Sequence, residues 1–320
     1  MKKILYVVHR YAPYPGGSEN YVKNMAEETL KRGHKVAVFA GEHKGDYNGV
    51  HVTSDHRILF EQWDLIVVHG VDVNVQNLIY VNATHIPNPI LYLLILPSHS
   101  DVSKYAMKHV AYLGTSTTAD MRHLTQYGVI NKARQVRHGI VKSDSIGKPG
   151  FREKYNIKTK HMFVSSGGYW QNKAMPELVE IFNKANIPDT TLVLTGYDNR
   201  TGLMPKETEF VKPFLIDDRD DVMSAIKEAD LYLLHSFSEG FGLVLLESMI
   251  NKTPWAARNI AGAETMNNYG FTYDNDDQLL NYLKSFKGKN VEAAELAYDY
   301  VINNRLIENT VDDILKILND

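Results

Sequence analysis

The sequence contains no cysteine. This absence excludes a disulfide framework, a thiolate metal site and a cysteine nucleophile. The sequence also has no long hydrophobic run, because its most apolar stretch, PILYLLILP at residues 89–97, is too short to span a bilayer. The first apolar run, ILYVV, is too short for the core of a signal peptide and is typical of a buried strand. We therefore expect a soluble, cytoplasmic protein with at most peripheral membrane contact.

Two common nucleotide-binding motifs are absent as well. The chain has neither the G-x-G-x-x-G fingerprint of dinucleotide-binding domains nor the G-K-[ST] ending of a P-loop, and we predict no cofactor. Its charge is uneven: residues 1–142 carry 16 Lys and Arg against 11 Asp and Glu, and the remainder carries 19 against 27. The basic residues are too dispersed for a nucleic-acid groove, so no nucleic-acid partner is expected. The difference favours two domains that face different ligands.

Strand-like and helix-like segments alternate along the whole chain. The strand-like KILYVV is followed by a glycine loop and by ENYVKNMAEETLKRG, in which Val22, Met25 and Ala26 recur at helical spacing. The continuous apolar runs DLIVVHG and ILYLLIL are typical of parallel strands that are covered on both faces. The pattern predicts an α/β fold built on parallel sheets.

The alternating pattern occurs twice, separated by a polar stretch with several turn-forming residues. It predicts two Rossmann-like, doubly wound domains, residues 1–142 and residues 160–303, with a ligand cleft at the carboxyl ends of their strands. Residues 143–159 are predicted to be a linker and hinge. Residues 304–320 are predicted to form a C-terminal helix that packs back toward the N-terminal domain.

Two glycine-containing loops are candidate ligand sites. In PYPGGSEN, Gly16 and Gly17 would let the backbone approach a ligand, and the helix that follows offers free N–H groups to an anion. In SSGGYWQNKAMPEL, Lys173 stands between a strand end and a helix, where it is a candidate diphosphate contact. An ordinary turn and a solvated lysine explain these features equally well when each is taken alone.

The segment SEGFGLVLLES carries two glutamates around a glycine-rich turn. Glu239 is predicted to lie in the loop before a helix, and Glu247 on the second turn of that helix. At ~1.5 Å rise per residue the two carboxylates would be roughly 8–12 Å apart, which suits a nucleotide sugar bound through its ribose and its sugar. The N–H groups of residues 240–243 would face the anion between them. The alternative is that Glu239 only stabilises the helix dipole and Glu247 is a surface residue.

Four motifs occur in a fixed order: PGGSE, a glycine pair followed by Lys173, SEGFGLVLLE, and AGAE at residues 261–264. In this respect nearly the whole chain resembles the retaining GT-B glycosyltransferases of family 4, also called glycosyl transferases group 1. The resemblance implies an acceptor-side N-terminal domain and a nucleotide-sugar-binding C-terminal domain. It implies metal-independent transfer from a nucleotide-diphosphate sugar to a glycan, lipid-linked or small hydroxyl acceptor. UDP-sugars are the favoured donors, followed by GDP-mannose.

The resemblance also assigns roles to residues of the donor site. Glu239 would contact hydroxyls of the donor sugar, Glu247 would hold the ribose, and Lys173 would contact the diphosphate. Backbone groups around the glycine-rich turns would complete the site, namely those of Gly16, Gly17, Gly240, Phe241 and Gly242.

A catalytic histidine is implied near the reacting sugar, at the end of a strand of the N-terminal domain. His99, directly after ILYLLIL, is predicted for this role, and His69 is the alternative. Three positions depart from the pattern of the family: Gly168 replaces the usual arginine, His235 the usual proline, and Lys252 the usual glycine. The first two border the expected donor site.

Three other functions stay open on the sequence. The same fold could hydrolyse or epimerise a sugar nucleotide, or bind a sugar nucleotide or a partner without transfer. A metal-dependent transferase is the third, because DRD (218–220) and DND (274–276) match the D-x-D metal-binding pattern. Both triplets stand where a helix is predicted to begin, so helix capping is favoured and no metal site is predicted. The sequence predicts no oligomeric state.

Overall fold

The computed structural model describes residues 1–14, 16–69, 72–94 and 101–319. They form two compact units: unit 1 comprises Met1–Ile140 and Arg305–Asp320, and unit 2 comprises Val141–Asn304. Each unit is built on a sheet in which every strand pairing between described residues is parallel. Both faces of such a sheet must be covered, which explains the continuous apolar runs of the sequence.

Unit 1 alternates strands and helices as the pattern predicts. Its strands are β1 (Lys3–Arg10), β2 (Lys35–Glu42), β3 (His51–Thr53), β4 (Leu65–His69), β5 (Ile90–Leu93), β6 (Tyr112–Thr115) and β7 (Ala133–Gln135). The helices between them are α1 (Gly17–Lys31), α2 (Val73–Asn82), α3 (Asp101–His109) and α4 (Thr118–Gln126). Short 3-10 turns span His56–Phe60 and Ile130–Lys132. Val22, Met25 and Ala26 of α1 are buried, as their spacing predicts.

The strand order in unit 1 is β3-β2-β1-β4-β5-β6-β7. Ile4 of β1 lies opposite Val36 of β2 and Leu65 of β4, so the order reverses between β1 and β4. Ligands of open α/β sheets bind at such a reversal, outside the carboxyl ends of the strands. The Gly16–Gly17 loop follows β1, and His69 is the last residue of β4.

Unit 2 repeats this architecture. Its strands are β8 (His161–Ser166), β9 (Thr190–Gly196), β10 (Val211–Leu215), β11 (Leu231–Leu234), β12 (Trp255–Arg258) and β13 (Phe271–Tyr273). Its helices are α5 (Lys142–Ser145), α6 (Phe151–Lys154), α7 (Met175–Ala185), α8 (Arg219–Glu228), α9 (Leu243–Ile250), α10 (Ala261–Thr265), α11 (Asp276–Lys284) and α12 (Val291–Asn304). Short 3-10 turns span Gln171–Lys173 and Asn267–Tyr269. The strand order is β10-β9-β8-β11-β12-β13, so the reversal lies between β8 and β11.

The polar segment 143–159, predicted to be a linker, is instead part of unit 2. Phe151 is 1% exposed and its ring lies 6.3 Å from that of Phe214. The Asn251 side chain accepts a hydrogen bond from the Gly147 N–H (2.8 Å) and donates one to the Ser145 carbonyl (2.6 Å). These anchors lie 60 or more residues away along the chain, so local polarity could not reveal them. The chain passes between the units at positions 140–141 and 304–305.

The C-terminal helix α13 (Ile307–Ile317) belongs to unit 1 and contacts α1. Its apolar face is buried, and Arg137 binds Asp313 with two guanidinium nitrogens at 2.7 and 2.8 Å. Ile140 forms two backbone hydrogen bonds with the residues at the start of this helix. Its N–H donates to the Arg305 carbonyl (3.0 Å), and its carbonyl accepts from the Ile307 N–H (2.9 Å). The two passages of the chain are therefore tied together within unit 1.

Candidate functional site

Lys173 and Glu239 meet at the strand-order reversal of unit 2. Lys173 lies in the loop after β8, and Glu239 lies in the loop between β11 and α9. The Lys173 Nζ is 2.5 Å from the Glu239 Oε1, and the two side chains are only 18% and 15% exposed. The fold thus brings together two residues that are predicted to bind different parts of the donor, its diphosphate and its sugar.

The backbone around Gly167 gives Lys173 its path. Gly167 has φ +138°, a conformation that a residue with a Cβ rarely adopts. A Cβ at this position would lie 3.2 Å from the Lys173 Cε, so the lysine side chain runs across the glycine. The two loops are also joined directly, because the Phe237 N–H donates to the Asn172 carbonyl at 2.8 Å. A backbone hydrogen bond therefore links the loop that carries Lys173 to the loop that carries Glu239.

Glu247 lies on the second turn of α9, as predicted, and pairs with Arg219. The Arg219 Nη2 donates to the Glu247 Oε1 at 2.6 Å, and its Nε donates to the Asp144 carbonyl at 3.1 Å. The Glu247 side chain is 12% exposed, so it is not the surface residue of the alternative interpretation. The two glutamates of the motif thus have the same arrangement: each is mostly buried beside one cation.

Arg219 is a site residue that the sequence patterns do not predict, although it stands in the middle of the DRD triplet. Asp218 is the N-cap of α8 and accepts from the Asp220 N–H at 2.9 Å, which confirms the capping interpretation of this triplet. No motif spacing identifies Arg219, because its partner Glu247 is 28 positions away and the pair depends on the packing of α8 against α9. The only local signal was a cation at the start of a helix, where acidic residues are usual.

The N-terminus of α9 lies between Glu239 and Glu247 along the chain. Gly242 is the N-cap residue with φ 84° and ψ 56°, in the left-handed region that favours glycine. Within the described part of the chain, no side chain caps this helix and its first turn has no acidic residue. Phe241 is 4% exposed, and Gly262 packs directly against its carbonyl oxygen. The arrangement leaves the first N–H groups of α9 available to an anion.

Position 168 is the one at which the family usually has arginine. Here it is glycine, and Trp170 occupies the space beside it. A Cβ on Gly168 would lie 2.5 Å from the Trp170 Cε2. The indole packs edge-on against Tyr197, with ring centroids 5.4 Å apart and an interplanar angle of 86°. A backbone hydrogen bond of 2.8 Å from the Tyr169 N–H to the Asp198 carbonyl holds the two loops together. Lys173 is therefore the cation that this loop brings to Glu239.

The helix that follows the glycine pair of unit 1, α1, starts in a different electrostatic environment. The carboxylate of Glu19 is 3% exposed and folds back onto Gly16, whose φ is +149°. It accepts hydrogen bonds from the Arg10 Nε (2.8 Å) and lies 2.6 Å from the Arg10 Nη2 and 3.4 Å from the His9 Nε2. Burial alone would raise the pKa of Glu19, but the hydrogen bonds from His9, from its own backbone N–H and from Arg10 hold that pKa below its usual value. An ionised carboxylate thus already faces the start of α1.

His99 lies outside the described residues. His69, the alternative, is 4% exposed, and burial lowers its pKa to about 3, so its imidazole is neutral at pH 7. The Tyr21 ring lies 5.8 Å from the ring of His69 and stacks on His138 at 4.8 Å. His69 therefore belongs to a buried aromatic cluster at the strand-order reversal of unit 1.

Within the ranges that the structure describes, no three His, Asp or Glu side chains converge into a metal-binding cluster. In the DND triplet, Asn275 caps α11 and Asp276 accepts from Arg258 at 2.9 Å. None of the helices in the described residues is long and apolar enough to cross a membrane.

Residues 148–309, just over half of the chain, match the family described as Glycosyl transferases group 1. The chain belongs to this family. No curated protein matches this group 1 glycosyltransferase in sequence. The matched residues include both glutamates of the motif, Lys173 and Arg219, so the family assignment and the geometry concern the same unit.

Many solved structures share the fold of this group 1 glycosyltransferase. HepE from Anabaena, in complex with UDP and glucose, is 17% identical with a TM-score of 0.79, and the match covers 100% of both chains. A glycosyltransferase from Rickettsia africae ESF-5 is 18% identical with a TM-score of 0.79, covering 99% of this chain and 98% of that one. An α,α-trehalose-phosphate synthase (UDP-forming) from Burkholderia xenovorans, in complex with glucose-6-phosphate, is 12% identical with a TM-score of 0.75, covering 99% and 100%. The predicted GT-B fold class, with two Rossmann-like parallel-sheet domains, is confirmed.

Proposed function

We propose that this group 1 glycosyltransferase is a retaining, family 4 hexosyltransferase that uses a UDP-sugar and needs no metal. The observation that carries the proposal is the pairing of two mostly buried glutamates with cations, Lys173–Glu239 and Arg219–Glu247, with the open N-terminus of α9 between the two glutamates along the chain. A nucleotide sugar offers a diphosphate between two polyhydroxylated rings. The site offers cations and N–H groups between two carboxylates, so the chemistry of the two is complementary.

In the proposed complex, the diphosphate binds between Lys173 and the first turn of α9. The lysine ammonium has three N–H donors and can serve Glu239 and a phosphate oxygen at once. A hydrogen bond to a charged group contributes about 1.5–3 kcal/mol. Gly240, Phe241 and Gly242 contribute backbone groups only, and we propose a smaller backbone contribution from Gly16 and Gly17, because Glu19 already neutralises the start of α1.

The two carboxylates are proposed to bind hydroxyl groups at opposite ends of the donor. Glu247 holds the ribose, and Arg219 fixes the rotamer of that carboxylate through its 2.6 Å contact. Glu239 binds hydroxyls of the donor sugar and is oriented by Lys173 in the same way. Side chains held by such contacts are preorganised, which reduces the entropy lost when the donor binds.

Transfer requires the nucleoside diphosphate to leave, and negative charge then builds on its outer phosphate. Groups that are already aimed at this charge stabilise the transition state, and Lys173 with the N–H groups of α9 can supply them without a metal. We favour attack on the same face, assisted by the departing phosphate, over a covalent intermediate on Glu239. A carboxylate held at 2.5 Å by an ammonium group is a weakened nucleophile. His99 remains the proposed histidine near the reacting sugar.

The acceptor is proposed to be a glycan, a lipid-linked glycan or a small hydroxyl compound that binds on the side of unit 1, in polysaccharide biosynthesis in the cytoplasm. The Anabaena relative was solved with UDP and glucose and the Burkholderia relative with glucose-6-phosphate, which supports a UDP-sugar donor and a sugar acceptor. No nucleic acid takes part in this proposal.

The test is an incubation of the protein with UDP-glucose or GDP-mannose and a panel of sugar acceptors, in the presence of a chelator. We expect nucleotide release that depends on acceptor, and proton NMR of the first product should show the anomer of the donor. An inverted anomer would contradict retention, and loss of transfer with chelator would contradict metal independence. Turnover without acceptor would identify a hydrolase or an epimerase, and binding without turnover a non-catalytic module.

A further inference from the structure

We propose that His235 is a positioning residue for the loop that carries Glu239, acting as a neutral hydrogen-bond acceptor for Arg258. The inference rests on the proposed function, in which Glu239 binds the donor sugar. His235 directly follows β11 and precedes Glu239 by four positions. Its side chain is fully buried, at 0% exposure, so its hydrogen bonds are shielded from water.

The two partners of the imidazole determine which nitrogen carries the proton. The His235 Nε2 lies 3.1 Å from the Arg258 Nη2, and a guanidinium group has only donors, so Nε2 must accept. The proton is therefore on Nδ1, which donates to the Tyr273 hydroxyl oxygen at 2.7 Å. The Tyr273 hydroxyl in turn faces the Leu234 carbonyl at 3.5 Å. Hydrogen bonds thus run in one direction from Arg258 to the end of β11.

Arg258 connects this chain of hydrogen bonds to the loop. Its Nη2 also donates to the Asp276 Oδ1 at 2.9 Å, and its guanidinium carbon lies 5.1 Å from the centre of the Phe237 ring. Phe237 is the residue whose N–H binds the Asn172 carbonyl, next to Lys173. The imidazole and the guanidinium group therefore hold this segment at His235 and at Phe237, which is two positions before Glu239.

Protonation of His235 would break this arrangement. An imidazolium has no acceptor, and it would place a second positive charge 3.1 Å from Arg258. The titratable and charged groups that face the imidazole are Arg258 from β12, Tyr273 from β13 and Asp276 from α11, whose carboxylate is 3.6 Å away but 57% exposed. Burial, followed by the charge of Arg258, lowers the pKa of His235 to about 4. The acceptor role is thus maintained at neutral pH.

The rival interpretation is that His235 only fills space beneath the loop. Two substitutions separate the interpretations. In His235→Gln the side-chain oxygen can replace Nε2 as the acceptor for Arg258, whereas His235→Leu preserves apolar volume and removes the acceptor. A matched control is His161→Leu, because His161 lies at the start of β8, at the amino end of the sheet and away from the Glu239 loop.

The experiment measures UDP-glucose turnover at pH 7.5, well below the melting temperature of every variant. We expect His235→Gln and His161→Leu to keep kcat within about threefold of the wild type, and His235→Leu to lower kcat by about tenfold with a similar donor KM, since one buried acceptor is lost. Wild-type kcat in His235→Leu would overturn the proposal. A wild type without any turnover would instead contradict the proposed function.

Nitrogen-15 NMR of the imidazole tests the proposal independently of turnover. The signal of His235, assigned by its disappearance in His235→Gln, should be that of a neutral ring with the proton on Nδ1 at pH 7. It should remain neutral when the pH is lowered to 5.5. A proton on Nε2, or an imidazolium at pH 7, would overturn the proposal whatever the enzyme assays show.

Discussion

The two units each have a glycine-rich loop that enters a helix at a strand-order reversal, yet the chemistry at the two helix starts differs. At α1 of unit 1, the buried carboxylate of Glu19 folds back onto Gly16 and is bonded to Arg10. At α9 of unit 2, no described side chain caps the helix, and the nearby carboxylates of Glu239 and Glu247 are each paired with a cation. The same sequence pattern thus gives one helix start that is already neutralised and one that is open to an anion.

This difference shows why adjacent glycines alone do not identify a ligand site. Glycine permits a close backbone approach, but the groups around the loop decide whether an anion is attracted. In unit 1 the Glu19 carboxylate already occupies the helix start beside Arg10, whereas in unit 2 the first N–H groups of α9 have no capping side chain among the described residues and Lys173 lies near them. The proposed donor site therefore depends mainly on unit 2, and substitutions there should have the larger effects.

The largest effect is expected for Lys173→Ala. The variant loses the cation proposed to face the diphosphate and leaves Glu239 without its 2.5 Å partner. A charge-assisted hydrogen bond of about 1.5–3 kcal/mol corresponds to a decrease of turnover by roughly one to two orders of magnitude. Initial-rate kinetics with UDP-glucose measure this decrease. The control is Lys252→Ala, which removes a lysine paired with Glu295 on the surface of the same unit and should leave the rate within about twofold.

If Lys173→Ala were as active as Lys252→Ala, the open helix start of α9 would not be the diphosphate site. If a chelator abolished the remaining activity of wild-type protein, a metal would hold the diphosphate. Either result would remove the proposed contrast between the units.

A second comparison separates the two glutamates. Glu247→Ala should raise the donor KM by about tenfold with little change in kcat, because ribose contacts are similar in the ground state and the transition state. Glu239→Ala should lower kcat by about tenfold as well, because its sugar contact orients the reacting carbon. Steady-state kinetics with varied donor measure both constants. If both substitutions changed kcat and the donor KM only slightly and to the same extent, the two carboxylates would stabilise α9 and would not bind the donor.

Acid should destabilise unit 1 more than unit 2. Burial lowers the pKa of His69 and of His138 in unit 1 to about 3, and burial with Arg258 lowers that of His235 in unit 2 to about 4. Each histidine titrates near 6.5 when unfolded, so the stability it contributes is present above pH 6.5 and is lost as the pH falls toward the folded pKa. At pH 5 the loss is about 2 kcal/mol per histidine.

Urea unfolding at pH 7.5 and at pH 5 measures this effect, with separate probes for the two units because two domains need not unfold together. His138→Phe keeps a ring stacked on Tyr21 but removes one titrating group. The free energy of unfolding that unit 1 loses between pH 7.5 and pH 5 should therefore decrease by about 2 kcal/mol. An unchanged pH dependence in this variant would show that His138 is not buried in its neutral form.

Gly168, the position at which the family usually has arginine, is expected to resist a larger side chain. Gly168→Ala places a Cβ 2.5 Å from the Trp170 indole, and such overpacking costs about 1–3 kcal/mol unless the ring moves. For the same reason, Gly168→Arg should not rescue Lys173→Ala by itself, whereas Gly168→Arg combined with Trp170→Ala should restore part of the activity. Thermal unfolding and turnover of these variants measure the two effects. Rescue by Gly168→Arg alone would show that the indole leaves this space readily.

The sequence predicted the parts of this site that depend on local rules. The βα alternation, the cap of α8 and the position of Glu247 on the second turn of α9 follow from periodicity and capping within a few residues. The partners of the glutamates do not, because Lys173 is 66 positions from Glu239 and Arg219 is 28 positions from Glu247. The polar segment 143–159 was mistaken for a linker for the same reason, since Asn251 anchors it from about 100 positions away.

Calorimetric titration with UDP-glucose in the presence of a chelator tests the central claim most directly. We predict that the wild type binds the donor and that Lys173→Ala and Glu247→Ala each weaken the affinity by about tenfold or more, since each removes a charged contact. Glu19→Gln, which removes the charge at the start of α1 in unit 1, should change Kd by less than about threefold. Loss of binding in Glu19→Gln, together with wild-type affinity in Lys173→Ala, would contradict the account and move the donor to unit 1.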